Sequence, residues 1–183
     1  MARDETLVLD YEFKDGIARY LATRGPAYPM KSLADLIAFD RAHAGTEMPW
    51  FDQDIFERAQ ARGPITDARY LQARARNRRR AGRDGIDALM ARYRLDAIVG
   101  PTVGPAWTSD LVNGDHVVGG DSSTLPAVAG YPHVTVPAGF VHGLPVGLSI
   151  FGRAFSEPRL IGYAYAFEQA TQARRPPGFK PVT

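Results

Sequence analysis

The sequence predicts an α/β protein in which helices pack on a small mixed β-sheet, and three observations predict that class. Over residues 1–94, apolar residues recur mostly three or four positions apart, which is the spacing of a buried helix face. Around 97–99, 134–136 and 146–150, apolar residues instead form a short run or alternate with polar ones, which is typical of strands. Beyond residue 156 the helical spacing returns.

The chain has 183 residues, of which 45% are apolar and 23% are charged, as expected of one globular unit covering 1–183. It contains no cysteine, which excludes disulfides, thiolate nucleophiles and metal sites built on thiolates. Asp4 and Glu5 stand where a secretory signal would be basic, and no stretch reaches the roughly 18 apolar residues of a membrane span. We therefore expect a cytoplasmic protein without membrane contact.

Residues 1–94 are expected to be mainly helical. A short apolar run at 7–9 resembles a strand, and helical spacing then predicts a helix over about 12–22. After a Gly-Pro break, Ser32 with Asp35 three residues later predicts a capping box at the start of the next helix.

Two further helices are predicted before residue 94. Asp52 is expected to cap one of them, and the other begins near Thr66. Gly82 and Gly85 are expected to interrupt the second helix, after which helical spacing resumes over 86–93.

Residues 95–173 are expected to hold the strands, a pocket loop and the last helix. The run at 97–99, ended by Gly-Pro, is typical of a strand buried on both faces of a parallel sheet. A long loop over 101–125 follows it, and strands around 134–136 and 146–150 flank a turn-rich segment at 138–145.

The last helix is expected to begin after Ser156 as its cap, with Glu157 and Pro158 in its first turn. The proline-rich tail at 174–183 should be extended. A strand of the type predicted at 97–99 needs parallel neighbours, and the chain supplies too few of them. The sheet is therefore expected to be part of a larger one.

Two segments resemble characteristic blocks of the amidase signature family. They are Gly130-Tyr131-Pro132-His133-Val134-Thr135-Val136-Pro137-Ala138-Gly139 and Gly143-Leu144-Pro145-Val146-Gly147-Leu148-Ser149-Ile150-Phe151-Gly152-Arg153. Tyr131 and His133 stand where the family more often has Leu and Ala. Segments 11–14, 32–37 and 95–102 also resemble family blocks, in the family's order. The chain is therefore similar to the carboxy-terminal part of the amidase signature fold.

The resemblance implies hydrolysis of a linear carboxylic amide without a metal or cofactor. In the family, the catalytic Ser, cis-Ser and Lys lie in the amino-terminal half, which the resemblance does not cover. The only lysines are Lys14, Lys31 and Lys180, and none matches the family's lysine motif. No catalytic residue is assigned to this chain, and its expected partner is the missing amino-terminal amidase portion, on the same or on a separate chain. The alternative is a non-enzymatic oligomerisation or interaction module derived from an amidase.

Thr102 and Trp107 are the candidates for the substrate pocket. They follow the predicted strand at 97–99, and loops leaving the carboxyl ends of strands are where α/β folds place ligands. Packing of Trp107 under its own loop is equally compatible with the sequence. The segment 119–123 resembles the family's Gly-Gly-Ser-Ser-Gly loop, but Asp121 interrupts it, so a surface loop is favoured.

The remaining motifs predict neither a metal nor a cofactor. Four histidines are scattered without ligand spacing, and no phosphate-binding glycine motif is present. Nine of the 19 arginines lie between Arg69 and Arg94, but their positions would ring a helix and no aromatic residues alternate with them. Nucleic-acid binding is therefore not expected. Because its strand edges lack partners, the chain is expected to form a homo-oligomer.

Overall fold

The computed structural model describes residues 2–178. Its contacts divide the chain into two compact units, Met1–Asn77 and Arg78–Thr183. The organisation as one fragment over 1–183 remains a prediction. Residues 174–178 have no regular secondary structure, and the rest of the predicted extended tail lies outside the described residues.

The elements follow one another in the order helices, then strands with helices between and after them. The helices of the first unit are α1 Ala2–Ala22, α2 Leu33–Ala42, α3 Ala44–Glu47, α4 Asp54–Gln60 and α5 Ala68–Arg78. The second unit contains a π-helix Arg79–Asp87, α6 Ala88–Tyr93, β1 Ile98–Pro101, α7 Thr124–Ala129, β2 His133–Val141, β3 Leu144–Phe151 and α8 Glu157–Thr171.

The strand predicted at 7–9 is wrong, because these residues lie inside the long helix α1. Leu7 and Tyr11 are one helical turn apart, and both are buried against Tyr70 and Ala73 of α5. Three consecutive apolar residues fit a strand or a helix equally well, and here the contact one turn away decides for the helix.

The capping box at α2 is confirmed. The hydroxyl oxygen of Ser32 accepts a hydrogen bond from the Asp35 amide, and the Asp35 carboxylate accepts one from the Ser32 amide. The prediction for Asp52 is wrong by one position, because Gln53 precedes α4 and the Asp52 carboxylate instead accepts a bond from the Gln53 amide.

Asp10 is a buried carboxylate that ties α1 to α4 and the residues after it. It is 3% exposed, and it accepts hydrogen bonds from the guanidinium groups of Arg58 and Arg62. Burial by itself would raise the pKa of the Asp10 carboxyl, but the bonds and charges of the two arginines outweigh burial and lower the pKa.

The interruption predicted at Gly82 and Gly85 is wrong, because the backbone there remains helical as a π-helix. A Cβ on Gly85 would lie 2.6 Å from the carbonyl oxygen of Arg80, so this wide turn has no room for a side chain. The glycines are therefore accommodated by a change of helix type, which a propensity argument does not foresee. The helical run ends after α6 at Arg94, whose φ is 52°.

The sheet has three strands in the order β1-β3-β2, and the α/β class is confirmed. Both pairings are antiparallel, so in the described part of the chain the sheet is not the mixed one expected. The burial predicted for both faces at 97–99 is wrong, because β1 lies at the sheet edge and Val99 is 62% exposed.

The sheet has an apolar face and a second face of different character. On the apolar face, Val136 and Ile150 pack against Leu160 and Ala164 of α8. One end of the second face is covered, because Phe151 packs there against Ile86 and Met90.

The hairpin and the last helix agree with the expectation in most respects. β2 and β3 meet in a tight turn at His142-Gly143, both with positive φ, so the turn is shorter than the predicted segment 138–145. Ser156 precedes α8, but its hydroxyl donates to the Arg153 carbonyl instead of capping the helix. The loop predicted over 101–125 runs into a short helix, α7, that the sequence analysis missed.

Candidate functional site

The other half of the second sheet face carries polar side chains of β2, β3 and the residue that follows β1. Ser149 of β3 lies opposite Thr135 of β2 on one side and opposite Gly100 of β1 on the other. Thr102 follows β1 directly, and its amide donates to the Gly147 carbonyl at 2.8 Å, which extends the β1–β3 pairing. Strand register therefore collects these residues at one place.

Four side chains form a continuous hydrogen-bond chain on this face, which we call the hydroxyl chain: His133, Ser149, Thr102 and Thr135. Nε2 of His133 lies 2.6 Å from the Ser149 hydroxyl oxygen. The Ser149 hydroxyl donates to Oγ1 of Thr102 at 3.0 Å, and Oγ1 of Thr102 lies 2.5 Å from Oγ1 of Thr135. Ser149 is fully buried, whereas Thr135 is exposed.

Gly147 makes room for the hydroxyl chain. A Cβ at this position would lie 2.7 Å from Oγ1 of Thr102 and 2.9 Å from Oγ1 of Thr135. Any side chain on Gly147 would therefore displace at least one of the two threonine hydroxyls.

The segment 121–123 lies beside the hydroxyl chain. The amide and hydroxyl of Ser123 donate to the Asp121 carboxylate at 2.6 and 2.7 Å. These two bonds are the main reason that the pKa of the Asp121 carboxyl is lowered. The amide of Ser122 donates to the Thr102 carbonyl, so the segment is tied to the end of β1.

Of the two pocket candidates, the structure brings Thr102 into the hydroxyl chain but not Trp107. The Trp107 indole N–H donates to the Asp115 carboxylate at 3.1 Å, within its own loop, and the side chain is 38% exposed. In the same loop, bonds from the Asn113 amide, its side chain and the Val112 amide lower the pKa of the Asp110 carboxyl to about 2. The substrate role of both candidates remains a prediction.

The sequence analysis missed His133, Thr135 and Ser149 as site residues. Their side chains meet only across strands, so their proximity depends on register. The available signal was the set of positions between the apolar ones, where β2 and β3 carry His133, Thr135, Gly147 and Ser149.

Tyr131, the other departure from the family pattern, has a different environment. Its hydroxyl donates to the Asp87 carboxylate at 2.7 Å, and its ring lies over Gly82 of the π-helix. The bond to Asp87, followed by burial, raises the pKa of the Tyr131 hydroxyl. This residue therefore ties the start of β2 to the π-helix.

The hydroxyl chain can donate and accept hydrogen bonds, but its serine is not arranged as a nucleophile. Ser149 is fully buried, and its hydroxyl donates to Thr102. The ammonium groups of Lys14 and Lys31 donate to backbone carbonyls in the first unit. Over residues 2–178, no three histidine, aspartate or glutamate side chains are grouped so that they could hold a metal ion.

Several of the clustered arginines are engaged in ion pairs. Arg76 contacts Asp4, and Arg79 and Arg83 contact Asp84.

No helix between residues 2 and 178 is both long enough and apolar enough to cross a membrane.

An apolar groove lies at the covered end of the second sheet face. Its cavity has a volume of about 420 Å³, and its walls include Ile86, Leu89, Ile98, Leu125 and Phe151. Leu89 and Leu125 are both more than a third exposed. The groove is adjacent to β1, whose outer edge has no strand partner in the described part of the chain.

Comparisons with known proteins agree on one family. The amidase family model matches residues 7–161. The structure superimposes on the native peptide amidase of Stenotrophomonas maltophilia with a TM-score of 0.86 and 47% identity, covering 98% of this chain and 36% of that one. A probable amidase of Arabidopsis thaliana is 35% identical over 177 residues, which are 96% of this chain and 31% of that protein.

A third relative is part of an amidotransferase. This glutamyl-tRNA(Gln) amidotransferase component from Pseudomonas aeruginosa is 33% identical over 84% of this chain and 37% of its own length. The chain thus spans about a third of the length of each of these three proteins.

Proposed function

This chain belongs to the amidase signature family, and from that premise we propose that it is the carboxy-terminal portion of an amidohydrolase. The proposed reaction is hydrolysis of a linear carboxylic amide to an acid and ammonia or an amine. One observation carries the proposal: 98% of the chain aligns with a peptide amidase at 47% identity, yet it covers only 36% of that enzyme.

We propose that the chain is inactive by itself. Amide hydrolysis by a serine nucleophile needs an adjacent base, and in this family a lysine supplies it. Lys14 and Lys31 are occupied by backbone carbonyls, and neither is bonded to a serine. These contacts support a nucleophile and base that both come from the missing amino-terminal portion.

The role proposed for this chain is to form a wall of the substrate pocket. Thr102 offers a hydroxyl at the end of β1, and Trp107 offers an aromatic surface in the following loop. The relative named peptide amidase favours a peptide amide as substrate over a small aliphatic one.

The proposed partner, the missing amino-terminal portion, would dock on the outer edge of β1 and the adjacent apolar groove. An unpaired strand edge is a template for pairing, and exposed leucines beside it favour burial by another surface. Val99, Leu89 and Leu125 are all exposed there.

A chimera tests the proposal. The segment of the Stenotrophomonas maltophilia peptide amidase that matches this chain is replaced by the chain, and hydrolysis of a peptide amide is measured. We expect activity in the chimera and none in the isolated chain. A folded but inactive chimera would contradict the proposed function. Turnover by the isolated chain that disappears in Ser122→Ala or Ser123→Ala would contradict the proposed inactivity.

The alternative is a non-enzymatic module that associates through the same β1 edge. We propose that the isolated chain forms a homo-oligomer, because a second copy can cover the edge and the groove. A compact monomer of this length would have a radius of gyration of about 16 Å. Light scattering and small-angle X-ray scattering that show a monomer near this radius at micromolar concentrations would contradict self-association.

Because the chain has no cysteine to oxidise, we propose the cytoplasm as its location.

A further inference from the structure

We propose that the Thr102–Thr135 pair is a hydrogen-bond donor site for a carbonyl oxygen of the substrate, and that Ser149 and His133 are positioning residues that orient it. This inference rests on the proposed function for the identity of the ligand. The direction of the hydrogen bonds in the hydroxyl chain does not rest on it.

The direction begins at Ser149. Its hydroxyl has a single hydrogen, and the geometry directs that hydrogen to Oγ1 of Thr102 at 3.0 Å. The 2.6 Å contact between Ser149 and His133 therefore needs a hydrogen from the other side, so Nε2 of His133 must carry it. The structure thereby assigns the imidazole tautomer.

Counting hydrogens then shows what remains for a ligand. The hydroxyl chain has four polar hydrogens, one each on His133 Nε2, Ser149, Thr102 and Thr135. Only three hydrogen bonds join these four side chains. One hydrogen of the threonine pair is therefore left over, whichever threonine donates to the other. If Nδ1 carried the imidazole hydrogen instead, three hydrogens would serve three contacts and none would be left.

The location of the pair suits an external acceptor. Thr135 is exposed and Thr102 is half-buried, whereas Ser149 behind them is fully buried. Within the described residues, neither threonine hydroxyl donates to any group outside the hydroxyl chain, so the remaining hydrogen has no acceptor there. The acceptor most abundant in a peptide or amide substrate is a carbonyl oxygen, which accepts one such bond readily.

The first test measures the tautomer without any activity. Nitrogen NMR of the full chain, labelled with ¹⁵N-histidine in alkaline buffer, should show His133 with hydrogen on Nε2. Its signal is identified by its loss in His133→Gln. In Ser149→Ala this preference should weaken, while the signals of His43, His116 and His142 stay unchanged. A His133 with hydrogen on Nδ1 in the parent chain would overturn the proposal.

The second test uses the chimera with the peptide amidase described above. Replacing both Thr102 and Thr135 by Val removes the donor and should lower kcat/KM about tenfold, which corresponds to one lost hydrogen bond. Replacing both by Ser keeps the hydroxyls and should recover most of the kcat/KM that the double Val variant loses. A folded double Val variant with parent kcat/KM would overturn the donor site.

The positioning role has its own matched pair. In His133→Gln the side-chain amide can still donate to Ser149 from the place of Nε2, whereas the shorter His133→Asn cannot reach it. We expect kcat/KM to be clearly higher in His133→Gln than in His133→Asn, with equal thermal stability of the two variants. Equal activity of the two would contradict the positioning role. An inactive parent chimera would refute the proposed function. The tautomer measurement would still decide the direction of the hydrogen bonds in the hydroxyl chain.

Discussion

The two faces of the sheet use the same strands for opposite purposes. On one face, Val136 and Ile150 pack against α8 in an apolar cluster. On the other, one residue away along each strand, Thr135 and Ser149 each form a hydrogen bond with Thr102. Because side chains alternate along a strand, one register of β2 against β3 builds both faces.

The comparison indicates where stability and function are separated in this chain. The apolar face gains its free energy from area removed from water, so it depends on volume and tolerates little truncation. The polar face gains little net free energy from its bonds, but it fixes the direction of hydroxyl groups. Four predictions can break or sharpen this contrast.

The largest effect is expected on the apolar face. Leu160 is fully buried under the sheet, so Leu160→Ala should lower the free energy of unfolding by about 2–5 kcal/mol. The neighbouring Ile161 is 58% exposed, and Ile161→Ala should change it little. Urea denaturation followed by circular dichroism measures both. Equal losses in the two variants would mean that α8 does not bury the face described here.

A smaller loss is expected from Ser149→Ala on the polar face. The variant removes the partner of the buried His133 contact and one of the two partners of the Thr102 hydroxyl, which should cost about 1–3 kcal/mol of unfolding free energy. Thr171→Ala is a control, because that hydroxyl donates to a carbonyl on the exposed side of α8. An equal loss of unfolding free energy in the control would mean that the burial of Ser149 in the hydroxyl chain does not raise the cost of removing a hydroxyl.

Two glycine substitutions should have opposite signs. Gly147→Ala places a Cβ against both threonine hydroxyls and should lower the free energy of unfolding by about 1 kcal/mol. Gly162 in α8 has no atom within 4 Å of an added Cβ, so Gly162→Ala should raise it by about 0.5–1 kcal/mol. The same denaturation experiment compares them, and a stabilising Gly147→Ala would show that the hydroxyls are not packed as described.

The smallest effect is a dependence on pH in the long loop that follows β1, compared with the apolar face under α8. The pKa values of Asp110 and Asp121 are lowered in the folded protein, that of Asp110 to about 2. Their stabilising contribution is therefore present above the ordinary aspartate pKa and is lost as the pH falls toward 2. The cluster under α8 contains no titratable group and should not respond.

Fluorescence of Trp107 in a Trp50→Phe background measures this response. Between about pH 4 and pH 2 the signal should change before the helical circular dichroism does. Asp110→Asn should remove much of the early change. A single transition shared by both signals would contradict a separate response of the loop.

The elements that can be predicted from the sequence are those whose evidence is local. The capping box needs only Ser32 and Asp35, and the hairpin needs only alternation around a turn with Gly143, so both can be found without a structure. The run at 7–9 misleads because three apolar residues do not distinguish a strand from a turn of helix. The π-helix is not foreseen because a glycine signals a break and a wide turn alike.

The site can be predicted only in part, since it depends on pairing between distant segments. Thr102 is found because it follows a predicted strand, and it does lie in the hydroxyl chain. Its partners Thr135 and Ser149 are 33 and 47 residues away, and a shift of one residue in register would send them to the other face. His133 looks like a scattered histidine for the same reason.

The pairing of β1 with β3 also determines when β1 can enter the sheet during synthesis on the ribosome. β2 and β3 are consecutive and can form their hairpin as soon as both have emerged, whereas Ile98 pairs with Phe151, about 50 residues later. At a translation rate of about 5–20 residues per second, β3 is synthesised roughly 3–10 s after β1. During that time its edge and the exposed side chain of Val99 are available to other nascent chains. Slower translation would lengthen this interval and lower the yield of correctly folded chain.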